Sequence, residues 1–413
     1  MLPNSNQALE AGPLAGIRVL EFGSLLAGPL CARILGDFGA DVIKVESPGE
    51  GDPLRHWGQE PFAGRDLLWT VYARNKRCIT LDLRQTEGQA LARELAKRSD
   101  IVVENFRTGT MERWGLGPDD LARINPGLVM VRVSGFGQTG PYSSRAGFGS
   151  VAEAMGGIRY VTGYPDRPPT RTGVSLGDSL AALFGVIGAL LAIYRREHER
   201  ACKQSGRGQT VDVAIYEAVF ALMESLVPEY VLQDKIRERT GATLPHVAPS
   251  NVYPCSDGVS VVIAANADNV FRRLCDVMQA PAMYKDERFA SHGARGDHQQ
   301  ELDDIISAWT SKHRSQDVVK MMDDAAVPAG QIYTAREIVQ DPHFAARHMI
   351  SDMEIEDGVA FPMPGIVPTL GETPGVLRWP GPLHAGSHNQ EVYGELLGLR
   401  DAEIADLSAR SVI

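Results

Sequence analysis

From Ile17 to Ser134, short apolar runs alternate with segments whose apolar positions recur every three or four residues, as buried strands and the helices lying on them require. The runs predict strands at Ile17–Phe22, Val42–Val45, Cys78–Leu83, Ile101–Glu104 and Leu128–Ser134. The helical period predicts helices at Pro29–Phe38 and Glu87–Lys97, with shorter helical segments near Thr110–Trp114 and Asp119–Ile124. Pro29 in the first turn and the Gly39-Ala40-Asp41 turn bound the first of these helices. Such alternation implies βαβ units with right-handed crossovers and a doubly wound, largely parallel sheet. Ligands of such sheets lie beyond the carboxyl ends of the strands.

The uncharged run Ser179–Tyr194 holds Leu, Ile, Val, Phe or Ala at every turn and predicts a helix buried on all sides. Gly177-Asp178 stands at its mouth. The carboxylate there has two readings: a helix cap, which local sequence alone favours, or a nucleophile that forms an acyl intermediate. A polar connector at Arg195–Gly208, a strand at Thr210–Val213 and a helix at Ala214–Leu226 follow. Glu229–Pro254 has no clear period; a strand at Val259–Ala264 and helices at Asn269–Met278, Glu301–Thr310 and Ser315–Ala325 then indicate a second, smaller domain over 225–330. From Gln331 onward prolines break the pattern, but Val359, Phe361, Ile366 and Val367 are too apolar for a solvated linker, so this segment is expected to pack back on the first domain.

Composition narrows the function. A chain of 413 residues is long enough for two cores, and 44% apolar with 23% charged residues is ordinary for a globular protein. The net charge of −11 argues against nucleic acid as a partner. The longest uncharged apolar stretch falls short of the roughly 18 residues at which a membrane span is suspected. Met1–Pro13, with Glu10 and no apolar centre, does not read as a signal peptide, so a soluble, cytoplasmic-type protein without a membrane partner is expected. The five scattered cysteines form no CxxC pair, which removes the main support for zinc or a redox dithiol. The first βα turn, Gly23-Ser24-Leu25-Leu26-Ala27-Gly28-Pro29, is not GxGxxG, so a nicotinamide dinucleotide site loses its support as well.

Six segments, in order, carry a resemblance: LAGIRVLEFGSLLAGP at 14–29, GADVIKVESPGEGDPLR at 39–55, RNKRCITLDLR at 74–84, VENFRTGTMERWGLG at 103–117, SLGDSLAALFGVIGALLAIYRRE at 175–197 and GRGQTVDVAIYEA at 206–218. The chain resembles the family III CoA-transferases of CaiB/BaiF type, a group that includes formyl-CoA transferase, carnitine CoA-transferase and the related α-methylacyl-CoA racemase. The resemblance implies an α/β fold: a Rossmann-like large domain formed by 1–224 and the returning segment 331–413, and a small α+β domain over 225–330. It also implies a homodimer of two interlocked chains. The substrates it implies are an acyl-CoA thioester and a small carboxylic acid, with coenzyme A arriving as substrate and no resident cofactor or metal.

The family's nucleophile maps onto Asp178, a role compatible with capping. In the family reaction this Asp attacks the donor thioester to give a mixed anhydride, CoA thiolate returns to give an aspartyl-CoA thioester, and the acceptor acid reverses the sequence. Family positions that contact CoA map onto Leu26, Ala27, Ser47, Leu81 to Arg84, Asn105, Phe106, Arg107, Arg113, Gly147 and Phe148, with Arg84, Arg107 and Arg113 expected to pair with phosphate. Lys44, at the carboxyl end of a strand, and the Asn75-Lys76-Arg77 turn are further basic candidates.

Two departures narrow the activity. The family's racemases carry a catalytic His where Phe148 stands, and its formyl-CoA enzymes carry a Gln where Leu26 stands and a polyglycine loop where Leu244–Pro254 has no glycine. What remains looks like the branch that exchanges CoA between succinate and related dicarboxylic acids, with His246, Ser250 or Asn251 as candidates to meet the distal carboxylate. A 2-methylacyl-CoA racemase is the competing enzyme reading. A CoA- or nucleotide-binding protein without chemistry, in which Asp178 only caps a helix, is the other.

Overall fold

The structure is a computed structural model that describes residues 12–58, 61–355 and 358–413. The stretch read as lacking a leader lies outside them as far as residue 11. Strands β1 (Arg18–Glu21), β2 (Asp41–Glu46), β3 (Lys76–Thr80), β4 (Ile101–Glu104), β5 (Val129–Ser134) and β6 (Thr210–Ala214) form a sheet in the order β3-β2-β1-β4-β5-β6. Its neighbours all run parallel, with Val19 paired to both Val42 and Ile101. Both faces are covered, which is why the strands read as near-continuous apolar runs.

One face, with Val19, Val42, Val103 and Val131, packs on Leu30 and Leu35 of helix α1 (Ala27–Asp37). The other, with Leu20, Ile43, Val102 and Met130, packs on Ala92 and Leu95 of α2 (Thr86–Lys97) and on Val392, Tyr393 and Val412 from the end of the chain. Between β1 and β4 the strand order reverses. Chains leaving these two strands diverge and leave a crevice at their carboxyl ends.

After β5 come the short helix α3 (Gly149–Met155) and the long helix α4 (Leu176–Ala201), which continues through the first half of the expected polar connector. Its small residues Gly177, Ala181, Gly185, Ala189 and Ala192 are buried, and the helix packs on β5 and β6. Its other side is not covered: Leu183, Ile187, Leu191 and Tyr194 are exposed. The expectation of burial on all sides is therefore corrected. The uncharged run Ser179–Tyr194 itself stays short of span length, as expected, although the helix that contains it is long and apolar enough to cross a membrane by length and composition alone. Its small-residue face against the sheet is the packing of a core helix.

The expected helix at Ala214–Leu226 is instead α5 (Ile215–Phe220), a break, and α6 (Leu226–Gln233). The chain divides into two compact units, one of residues 1–158, 172–225 and 346–413, the other of 159–171 and 226–345. In the second unit β7 (Ser250–Pro254), β8 (Ser260–Ala264) and β9 (Ala329–Gln331) form an antiparallel sheet. Helices α7 (Asp268–Val277), α8 (Gln299–Thr310) and α9 (Ser315–Asp324) share its core through Phe271, Leu302, Ile306 and Val318.

In the first unit the last segment forms a hairpin, β10 (Ile350–Glu354) with β11 (Ala360–Pro364), and then passes along the edge strand β3. Asn75 N–H donates to the Trp379 carbonyl at 3.0 Å, and the Tyr393 hydroxyl to the Thr80 carbonyl at 2.7 Å. An edge strand covered in this way offers no template for a foreign strand.

Candidate active site

The turn after β1 holds Leu25 at φ +62°, a left-handed conformation that a leucine keeps only when its surroundings enforce it. Asn105, just beyond β4, brackets the preceding residue: its Oδ1 accepts from Ser24 N–H at 2.8 Å and its Nδ2 donates to the Ser24 carbonyl at 2.9 Å. Asp52 Oδ1 accepts from Leu25 N–H at 3.1 Å. Asp52 is in turn fixed by Lys44, whose Nζ lies 2.8 Å from Asp52 Oδ2, 2.9 Å from Glu21 Oε1 and 2.8 Å from the Gly23 carbonyl.

Lys44 is 1% exposed. Burial alone would lower its pKa, but Asp52, Glu21 and Glu46 outweigh burial and hold the ammonium charged, well above its ordinary value. Burial pushes the Asp52 carboxyl up, yet Lys44 and the backbone N–H donors bring it below the usual range. Lys44, expected as a CoA contact, thus has its three donors engaged in the frame beneath the turn. The same holds for Lys76, whose Nζ lies 2.7 Å from Glu21 Oε2, and for Arg77, whose guanidinium meets Asp41 at 2.9 and 2.7 Å.

Above that frame, at the reversal of strand order, lies a cavity of 320 Å³. Its wall brings together Leu26 and Ala27 from the first turn, Asn105, Phe106 and Arg107 from the end of β4, Gly147 and Phe148 before α3, and Asp178. Trp57, Val133 and Ile215 line it too, without any sequence signal having marked them. A second cavity, of 290 Å³, is lined by Ser47, Leu81 and Arg84, and shares Ser24 and Phe106 with the first. Arg84 is exposed and paired with Asp82, Nε to Oδ1 at 2.8 Å. Arg107 is exposed at the first cavity. Arg113 is exposed as well, donating to Thr110 Oγ1 at 2.9 Å, and stands outside the lining of both cavities.

Asp178 is the third residue of α4, not its cap; the cap position belongs to Ser175, which makes no side-chain capping hydrogen bond. In the first helical turn a carboxylate is favoured by the unpaired N–H groups and the helix dipole. The side chain is half-buried and its carboxylate lies against Gly149, the first residue of α3. A β-carbon at Gly149 would stand 2.3 Å from Asp178 Oδ2, so only glycine lets the two meet.

His246, Ser250 and Asn251 belong to the second unit. His246 is exposed, its Nδ1 3.9 Å from Asp297 Oδ1. Ser250 opens β7. Asn251 Nδ2 donates to Asp303 Oδ2 at 2.8 Å, while the Tyr253 hydroxyl donates to Asp303 Oδ1 at 2.6 Å, so the amide serves the packing of β7 on α8. Among the described residues no group of three His, Cys, Asp or Glu side chains could hold a metal ion.

A half-buried carboxylate lining one cavity with the exposed Arg107, next to a second cavity that is lined by the exposed Arg84 and shares wall residues with the first, suits attack on an acyl carbon of a phosphate-bearing substrate. The sequence profile of CoA-transferase family III matches residues 14–389. The chain is 56% identical over 401 residues to the succinyl-CoA–D-citramalate CoA-transferase of Chloroflexus aurantiacus, covering 97% of this chain and 98% of that one. It is 36% identical over 391 residues to the succinate–glutarate CoA-transferase of Agrobacterium fabrum, covering 93% and 96%. The crystal structure of a CAIB/BAIF family protein from Brucella suis superposes with a TM-score of 0.81 at 33% identity, over 94% of this chain and 100% of that one. The chain belongs to CoA-transferase family III.

Proposed function

We propose that this enzyme moves CoA from succinyl-CoA to a small dicarboxylic acid of the citramalate type, with Asp178 as the covalent nucleophile. The observation that carries the reading is the shared cavity: Asp178 and seven of the residues that map onto the family's CoA contacts, drawn from the turn after β1, the segment beyond β4 and the residues just before α3, line one space. The relative that is 56% identical over nearly its whole length supports the choice of donor and acceptor.

One oxygen of Asp178 attacks the thioester carbonyl; the C–S bond breaks, CoA leaves as thiolate and a succinyl-aspartyl anhydride remains. The thiolate then attacks Cγ of Asp178, succinate leaves, and an aspartyl-CoA thioester stands in the cavity. The acceptor carboxylate attacks that Cγ and expels the thiolate, which takes the acceptor's acyl carbon and restores Asp178. Each step develops an oxyanion, which fixed N–H donors stabilise.

That Ser24 and Phe106 stand on the walls of both cavities supports a CoA arm running from its nucleotide end near Arg84 to Asp178. Phe148 at the cavity leaves no imidazole for proton exchange, which disfavours the racemase. The reaction belongs in the cytoplasm, where CoA thioesters are made and used, and the working unit is a homodimer of interlocked chains.

The test joins residue to substrate. Asp178→Ala is expected to fold and to lose transfer, and wild-type enzyme given succinyl-CoA and hydroxylamine is expected to carry a hydroxamate at Asp178. Butyryl-CoA, which lacks the distal carboxylate, is expected to be poorer than succinyl-CoA by at least about tenfold in kcat/KM, or roughly 1.4 kcal/mol. Full activity in the alanine variant sinks the nucleophile, and equal rates for the two donors sink the dicarboxylate.

A further inference from the structure

The amide of Gly177, second in α4, is one of the N–H groups that a helix start leaves without an intrahelical acceptor. Its partner comes from another helix: Glu153 Oε1, in α3, accepts from Gly177 N–H at 3.1 Å. Glu153 is 1% exposed, and taking a carboxylate out of water is costly unless it is hydrogen-bonded. The two helices touch at this point, since a β-carbon on Gly177 would stand 2.9 Å from Glu153 Cγ. One turn earlier on α3, four residues away and so on the same helical face, Gly149 meets the Asp178 carboxylate. A single face of α3 thus contacts the amide on one side of the Asp178 α-carbon and the carboxylate beyond it.

We propose that Glu153 is a positioning residue for Asp178. By accepting the Gly177 amide it fixes the first turn of α4 and sets the direction from which the Asp178 carboxylate enters the cavity. The inference rests on Asp178 being the nucleophile. The required property is an acceptor oxygen at the end of a side chain of this length. Glutamine retains it, aspartate withdraws it by one methylene while keeping the charge, and alanine removes it.

The experiment uses the full chain, mixed rapidly with succinyl-CoA and quenched in hydroxylamine, with the Asp178 label followed by peptide mass spectrometry. Rates are normalised to the Asp178 that can be labelled, so a loss of folded protein does not count. Glu153→Gln is expected to label and turn over within about threefold of wild type. Glu153→Ala and Glu153→Asp are expected to slow by about 30- to 100-fold in kcat, with KM for succinyl-CoA within about twofold, because a misplaced nucleophile loses rate rather than binding. Should the alanine variant not fold, glutamine against aspartate carries the comparison. Labelling of Glu153→Asp at the wild-type rate, or of Glu153→Gln as slowly as of the other two, overturns the positioning role while leaving the nucleophile intact. Turnover by wild type with no label at Asp178 overturns the nucleophile itself, and the positioning role with it.

Discussion

At the scale of single residues, reactivity depends on how closely other atoms approach one carboxylate. The space beside Asp178 Oδ2 is open because residue 149 has no side chain. Gly149→Ala places a carbon 2.3 Å from that oxygen, far inside contact distance, so the carboxylate must rotate or α3 must move. Overpacking of this kind costs about 1–3 kcal/mol of stability, and a nucleophile displaced by about 1 Å loses on the order of 10²-fold in rate. The expected result is a folded variant with a modestly lower melting temperature and a kcat down by about 10²-fold. Wild-type kcat in this variant would show that the contact has no bearing on the reaction.

Asp178 stood out because a lone carboxylate at the mouth of an uncharged run is a local signal, but local sequence favoured a helix cap, and the proposed nucleophile role came from the family resemblance. The partners of Lys44 were not legible, because the rule that ligands lie at strand ends is also local, whereas Glu21 and Asp52 reach it only through strand pairing and the following turn.

At the scale of elements, most strands and helices could be located from period and punctuation, and the errors have physical causes. β3 begins at Lys76 rather than at Cys78 because its two charged residues are neutralised by Glu21 on β1 and Asp41 on β2, partners that no window along the chain contains. The two faces of α4 were written in its small residues at Gly177, Ala181, Gly185 and Ala189, a spacing of four that fits a helix laid closely on a sheet. Apolarity alone concealed it.

The contact of the last segment with β3 leads to a pH dependence. Cys78 N–H donates to His388 Nδ1 at 3.0 Å, which requires the neutral ring, and burial lowers the His388 pKa more than nearby Glu391 raises it. Below the ordinary histidine value of about 6.5, the unfolded chain therefore binds a proton that the folded chain refuses. The stabilisation is complete above that value and is lost as pH falls through the lowered folded pKa. Urea midpoints taken from about pH 7.5 down to about pH 5 should fall more steeply for wild type than for His388→Asn, whose amide oxygen keeps the acceptor without titrating in that range. Parallel curves would exclude His388 as the source.

At the scale of the whole molecule, large apolar side chains are left exposed in both units. In the first unit, Leu183, Ile187 and Leu190 of α4 line a cavity of 540 Å³ with Leu14, Leu30, Val367 and Leu370. In the second unit, α6 buries none of its residues, and Tyr230, Val231 and Leu232 are exposed. A helix of eight residues with no packed face is not stable by propensity alone. Contiguous apolar patches beyond a few hundred Å² mark interfaces. The proposed homodimer would supply a second copy as the occupant of such surfaces. The sequence displayed the apolar run but not its cover, because nothing within a chain states which of its faces a twin will meet.

The expected mass by light scattering is therefore about twice the 44.8 kDa of one chain, and it should persist on dilution from micromolar to nanomolar concentration, since linked chains part only by unfolding. Refolding from urea should slow as the chain is diluted, because association then belongs to folding. Ile187→Asp, which puts a charge on the exposed face of α4 away from the Asp178 cavity, should yield monomeric or insoluble protein. A wild-type mass of 44.8 kDa at micromolar concentration would leave these surfaces without a partner and remove the dimer from the proposed function.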